Sequence, residues 1–80
     1  MNNDYEKQIG LRIRSLRIVK GYTQETLSAK LQLSGCDITR SALAKIEAGQ
    51  RHIYPDELKA IKEALDICFD EIFYPDNYRC

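Results

Sequence analysis

Eighty residues are enough for one domain and no more, and a chain this short buries only about 60% or slightly more of its unfolded surface, so its core is small. With 44% hydrophobic and 30% charged residues and no window near the ~20 apolar residues that span a membrane, the composition is that of an ordinary globular protein and excludes a membrane-spanning helix. The formal net charge is zero, yet residues 1–51 hold nine Lys/Arg against five Asp/Glu, a balance of +4, and residues 52–80 hold three against seven, a balance of −4. Such a chain can attract phosphates with one end while the acidic end is held away; read blandly, both ends are solvated surface.

The start, Met1-Asn2-Asn3-Asp4, is polar and acidic and lacks the basic region and apolar run of a secretory signal. Asn3 followed by Glu6 fits a helix cap, with Asp4 as the alternative cap. Ile9, Ile13 and Leu16 recur at i, i+4 and i+7 and predict a first helix from about Tyr5 to Lys20. Arg12 and Arg14 leave that stripe, and Gly21 supplies a left-handed stop. Thr23 caps a second helix over about Gln24 to Leu31, with Leu27 and Leu31 facing the core and Glu25 in the first turn. Gln24, as first helical residue, can cap locally or hydrogen-bond a phosphate oxygen. In the connector 32–37, Gly35 marks a turn or helix end, with Leu33 and Cys36 tucked beneath it.

Thr39 caps a third helix that ends at Gly49, with Ile38 before the cap and Leu43 inside it forming a hydrophobic staple. Leu43 and Ile46 face the core, which leaves Arg40, Ser41, Ala44 and Lys45 on the outer side. Such a face is usually just solvated, but a helix pair of this kind can also lay its second helix in the major groove of DNA. Residues 50–54 form a loop with Arg51 at its tip. Pro55 suits a first helical position, and Leu58, Ile61 and Leu65 carry a fourth helix to about Leu65. After a break at Asp66-Ile67, residues 69–73 read as a short fifth helix, and the tail 74–80 has no period. The expectation is an all-α, compact five-helix arrangement, one domain over residues 1–80 with its core at about 9–73.

No enzyme is expected, because nucleophile, base and oxyanion donors find no candidates and the single histidine, His52, has no thiol or carboxylate motif beside it. Cys36, Cys68 and Cys80 are an odd set without a signal, which points to reduced thiols in a cytoplasmic protein. Their long spacings and the lack of a C-x-x-C pair argue against a metal, and no cofactor is expected.

The order of these residues resembles the lambda-repressor-like helix-turn-helix family, the Cro or xenobiotic-response-element type. The likeness is carried by Ile9-Gly10, Ile13-Arg14 and Leu16-Arg17, by Gly21-Tyr22-Thr23-Gln24-Glu25 with Leu27, and by Ser41 through Gly49. It continues through Leu58, Ala64-Leu65-Asp66-Ile67 and Asp70-Glu71-Ile72-Phe73 and covers about residues 9–73. The resemblance implies a sequence-specific DNA-binding transcriptional regulator, a repressor that acts as a homodimer on a palindromic operator of double-stranded DNA. It implies DNA contacts from Gln24, Thr39, Arg40, Ser41, Lys45, Gln50 and Arg51. Gln24 would touch a phosphate, Arg40, Ser41 and Lys45 would meet base edges, and Gln50 and Arg51 would contact the backbone. Arg17 and Glu47 would form a structural ion pair. Three departures stand out: a connector about five residues longer than usual, Ala48 in place of a polar residue, and Asp66 where the family has glycine. Ile72, Phe73 and the tail aromatics either supply the dimer contact or complete the monomer core. A second reading, an antitoxin-like or accessory module that docks on a protein partner through the acidic half, makes Arg40 and Lys45 dispensable.

Overall fold

The computed structural model describes residues 3–74, and every regular element among them is an α-helix. The helices are α1 (Asn3–Val19), α2 (Gln24–Leu33), α3 (Arg40–Glu47), α4 (Pro55–Leu65) and α5 (Phe69–Phe73). This is the expected all-α, five-helix fold. Two boundaries shift: Asn3 and Asp4 lie inside α1 rather than capping it, and α2 runs on to Leu33.

The helix starts are written in side chains. The Thr23 hydroxyl accepts from the Thr26 N–H at 3.0 Å and the Thr39 hydroxyl from the Ala42 N–H at 3.1 Å. Each satisfies one of the amides that a helix start leaves without a partner. α4 and α5 use a carboxylate three residues beyond the cap: Glu57 accepts from the Tyr54 N–H at 3.1 Å, and Glu71 from the Cys68 N–H at 3.0 Å. The ends share one motif. After α2, Gly35 turns left-handed at φ 92° and the Cys36 N–H reaches back to the Leu31 carbonyl at 2.8 Å, the double-bonded C-terminal closure. α1 and α3 close alike, with Tyr22 on Arg17 at 3.0 Å and Gln50 on Lys45 at 2.8 Å. α4 does so with an aspartate: Asp66 takes φ 54°, the one positive-φ non-glycine among the described residues.

The core gathers Ile9 and Ile13 of α1, Leu27 and Leu31 of α2, Leu43 and Ile46 of α3, Ile61 and Leu65 of α4, and Ile72 of α5, with Ile38 and Ile67 from the connections. α1 lies against α3 and α5, and α2 against α3 and α4. Ile72 is fully buried and Phe73 packs against the core. These two therefore complete the monomer, and Ile72 is not available to a second copy; Tyr78 and the other tail residues lie outside the described residues. Leu33, expected beneath the connector, is 89% exposed, because the two extra residues of α2 carry it past the core. Cys36 is a half-buried free thiol, whereas Cys68 is disulfide-bonded, so the expectation of reduced thiols does not extend to Cys68.

The long connector is pinned rather than slack. Two residues of it become helix and two form the glycine turn. The buried Ser28 hydroxyl then donates to the Ile38 carbonyl at 2.8 Å, and the Gln32 amide adds a longer bond to the same oxygen at 3.3 Å. Ile38 thereby enters the core directly before the Thr39 cap, and with Leu43 it staples the start of α3.

α1 and α3 approach closely at Gly10, which is buried. A β-carbon there would collide with the Ile46 carbonyl oxygen and stand 3.1 Å from that of Glu47. In a free helix Gly→Ala gains about 1 kcal/mol. Here Gly10→Ala is expected to cost about 1–3 kcal/mol instead, since backbone must move to admit the methyl; a urea midpoint equal to or above wild type would refute the close contact. Asp66→Gly is expected to act in the opposite sense, raising stability by about 0.5–1 kcal/mol as the left-handed strain is relieved. Thermal melts resolve this as a rise of a few degrees, and a fall would mean that Asp66 makes a compensating contact.

Candidate functional site

The outer surface of α3 follows from its period. Leu43, Ile46 and Glu47 point inward and are buried, which leaves Arg40, Ser41, Lys45 and Ala48 exposed and Ala44 half-exposed. Arg40 and Ser41 are the first two helical residues after the cap, and Lys45 follows one turn on. Thr39 spends its hydroxyl oxygen on the cap as an acceptor, which leaves its O–H hydrogen free to donate at the helix start.

Behind this surface lies a buried charged network. Arg17 and Glu47 are 7% and 2% exposed. Arg17 donates through Nε to Glu47 Oε2 at 2.8 Å and through Nη2 to Oε1 at 3.0 Å, a two-pronged pair between α1 and α3. Its remaining Nη1 donates to the Tyr22 carbonyl at 2.8 Å. Gln24, first residue of α2, donates Nε2 to Glu47 Oε1 at 3.1 Å. Because a carboxylate only accepts, this bond fixes which way the Gln24 amide faces. No buried side-chain nitrogen or oxygen among the described residues lacks a partner.

The other predicted residues sit at the far end of α3. Gln50 is exposed and shares a shallow depression with Glu6, Lys7, Gly49, Arg51 and His52. Arg51 is not a free loop-tip cation. Its guanidinium grips Glu57 with two 2.9 Å bonds and donates to the His52 carbonyl at 3.0 Å, tying the loop after α3 to the first turn of α4. The Arg51 hydrogen bonds hold the Glu57 carboxyl below its usual range against the opposing effect of burial, and the Tyr54 N–H helps. Glu57 in turn raises the Arg51 guanidinium. The nearby Cys36 thiol is pushed up by burial and by the charges of Glu57, Asp56 and Asp37. His52 meets Glu6 at 2.8 Å in an exposed contact that joins this loop to α1.

The arginines thus fall into two groups. Arg12 caps the end of α5 through the Ile72 carbonyl at 2.9 Å, and Arg17 and Arg51 are held by carboxylates. Arg14 and Arg40 carry no ion pair or hydrogen bond to another described side chain, and neither does Lys45. Sequence reasoning placed Arg14 off the apolar stripe and within the family likeness, and gave it no DNA contact. Its position three residues before Arg17, on the side of α1 that turns toward α3, was the available signal. Ser28, which anchors the connector, had no sequence signal beyond its place on α2, and Gln32, read as part of the connector itself, had none. Among the described residues no helix is long and apolar enough to cross a membrane, and no group of side chains is arranged to hold a metal.

The family profile described as helix-turn-helix matches residues 13–72, from the middle of α1 to within α5. No curated protein and no solved structure matches the chain.

Losing one partner of a buried ion pair strands the other charge out of water. Glu47→Ala and Arg17→Ala are each expected to cost about 3–5 kcal/mol in urea unfolding, and Arg17→Met with Glu47→Leu clearly less than the sum of the two single losses. Single losses under about 1 kcal/mol, the range of exposed pairs, would overturn a structural role.

Proposed function

The chain belongs to the lambda-repressor-like helix-turn-helix family of DNA-binding regulators, and from that premise we propose that it is a sequence-specific repressor that lays α3 in the major groove as a homodimer on a palindromic operator. The observation that carries this reading is the contrast among cations: Arg40 and Lys45 stand exposed on α3 without a partner among the described residues, while Arg12, Arg17 and Arg51 are bonded elsewhere. An unpaired guanidinium at a helix start can take guanine O6 and N7 together, and an ammonium one turn on favours the same acceptors. Ser41 lies between them, and Thr39 holds the helix start open toward the bases.

Gln24 is assigned to a backbone phosphate at the start of α2, using the amide hydrogen that Glu47 leaves free. Gln50 and Arg51 are assigned to the backbone at the far end of α3. Since Glu57 already compensates Arg51, its share of the attraction is the smaller. Half-sites about one helical turn apart follow from two-fold symmetry. With Ile72 and Phe73 taken into the monomer, the dimer contact is assigned to Phe69 and Tyr74, which remain 40% and 63% exposed beside them.

The test is selection of bound duplexes from a random pool at near-physiological salt, followed by binding to the selected site. Arg40→Ala is expected to lose about 1–3 kcal/mol and to relax preference at one base position of each half-site. Wild-type affinity and preference in that variant would remove Arg40 from the readout. If the pool yields no preferred site and Arg40 and Lys45 prove dispensable, the partner-docking reading takes precedence. The exposed Leu11, Ile18 and Val19 of α1 are the surface that favours it.

A further inference from the structure

We propose that Arg14, on α1, supplies a second DNA-backbone contact that closes around the same phosphodiester as Gln24; the inference rests on the DNA-binding reading above and adds a residue that lies outside the helix-turn-helix pair α2–α3. Three helices meet at a shallow pocket of ≈ 290 Å³ lined by Leu11 and Arg14 of α1, Gln24 of α2, and Ala44, Glu47 and Ala48 on the α3 side. The pocket opens beside the α3 surface that carries Arg40 and Lys45, for Ala44 is one turn beyond Arg40 and adjacent to Lys45.

The charge balance of the pocket points to an anion. Glu47 lies in it, but both carboxylate oxygens are bonded to Arg17 and its charge is matched there. The uncompensated charge is Arg14, which is exposed and has no ion-pair partner among the described residues. The α3 side gives only the methyls of Ala44 and Ala48, so every side-chain donor to a group seated there comes from Gln24 and Arg14. Gln24 gives one amide hydrogen to Glu47 and keeps the other. Arg12 and Arg17, the flanking arginines of the same helix, are consumed by the Ile72 carbonyl and by Glu47. A free guanidinium and a free amide hydrogen above a floor of Leu11 and two alanine methyls suit a phosphodiester, with the oxygens on the donors and the deoxyribose on the methyls. A free inorganic phosphate would leave that apolar floor unused.

The experiment measures affinity for the selected duplex across a salt series for wild type, Arg14→Gln, Arg14→Lys and Arg40→Ala, with thermal melts alongside. Arg14→Gln is expected to melt like wild type, to bind every duplex roughly tenfold more weakly, and to flatten the slope of log affinity against log salt by about 0.9. Arg14→Lys is expected to restore the slope. A scan of neutral methylphosphonates, placed singly along the duplex, should find one position per half-site that weakens wild type much more than Arg14→Gln, which keeps only the Gln24 contact there. An unchanged slope in Arg14→Gln, together with lost base preference in Arg40→Ala, would overturn the Arg14 assignment and leave the DNA reading standing. Absence of duplex binding by wild type would overturn both.

Discussion

Two opposite charges held away from water cost several kcal/mol each before their attraction is counted, and they persist only where geometry and further hydrogen bonds are good. The Arg17–Glu47 pair meets that condition, and the rest of the molecule is arranged so that it can. Its two bonds lock α1 to α3, the Tyr22 carbonyl fastens Arg17 to the turn before α2, and Gln24 brings the first residue of α2 onto the same carboxylate. One glutamate thus sets the positions of the three elements that border the proposed DNA surface. Gly10 is its precondition. It lies two turns before Arg17 on the same side of α1, where any β-carbon would force the helices apart and stretch the pair. Gly10 and Glu47 therefore act as one device, although each alone reads as an ordinary helix residue.

The hinge between α2 and α3 follows a similar logic by other means. A connector lengthened by several residues adds little to the entropy of closing a loop. Its hazard is that α3 then has no fixed direction relative to α2. Here the added length is taken up as helix and as a glycine closure, and the Ser28 hydroxyl ties down the last carbonyl before the cap. The Ile38–Leu43 staple then fixes the entry angle. What varies is the length of α2, while the start of α3, where Arg40 and Ser41 sit, is held by local bonds that do not depend on that length.

The fold was legible because each helix is marked by signals that act over a few residues. Thr23 and Thr39 name the starts, Gly21, Gly35 and Gly49 name the ends, and the apolar spacing of Ile9, Ile13, Leu58, Ile61 and Leu65 names the inward face. The misreadings arose where a decision is tertiary. Nothing local tells whether Leu33 remains over the core once the helix lengthens, or whether Ile72 faces inward or toward a second chain. The charged residues show the same limit more sharply. Arg12, Arg14, Arg17, Arg40 and Arg51 look alike in a sequence, and only the fold decides which of them has a carboxylate or a carbonyl within reach. Arg51 could not be distinguished from a free phosphate contact without knowing that Glu57 lies beneath it.

That partition explains how a chain of zero net charge can serve a polyanion. The attraction a duplex feels at physiological salt is governed by charges within about 8 Å, the screening length, not by the total. Glu57 is neutralised by Arg51 and Glu47 by Arg17, so neither opposes an approaching phosphate with its full charge. The cations left uncompensated on α1 and α3 are Lys7, Arg14, Arg40 and Lys45, and Lys7 lies beside Gln50 and Arg51. A regulator built this way has no net-charge attraction to nucleic acid in general, since its formal net charge is zero. Its affinity must come from contacts made after docking, where base readout has its greatest leverage over a nonspecific background. A balanced composition is thus compatible with a selective DNA reader, provided that fixed geometry, here that of the Arg17–Glu47 clamp, places its few unpaired cations together.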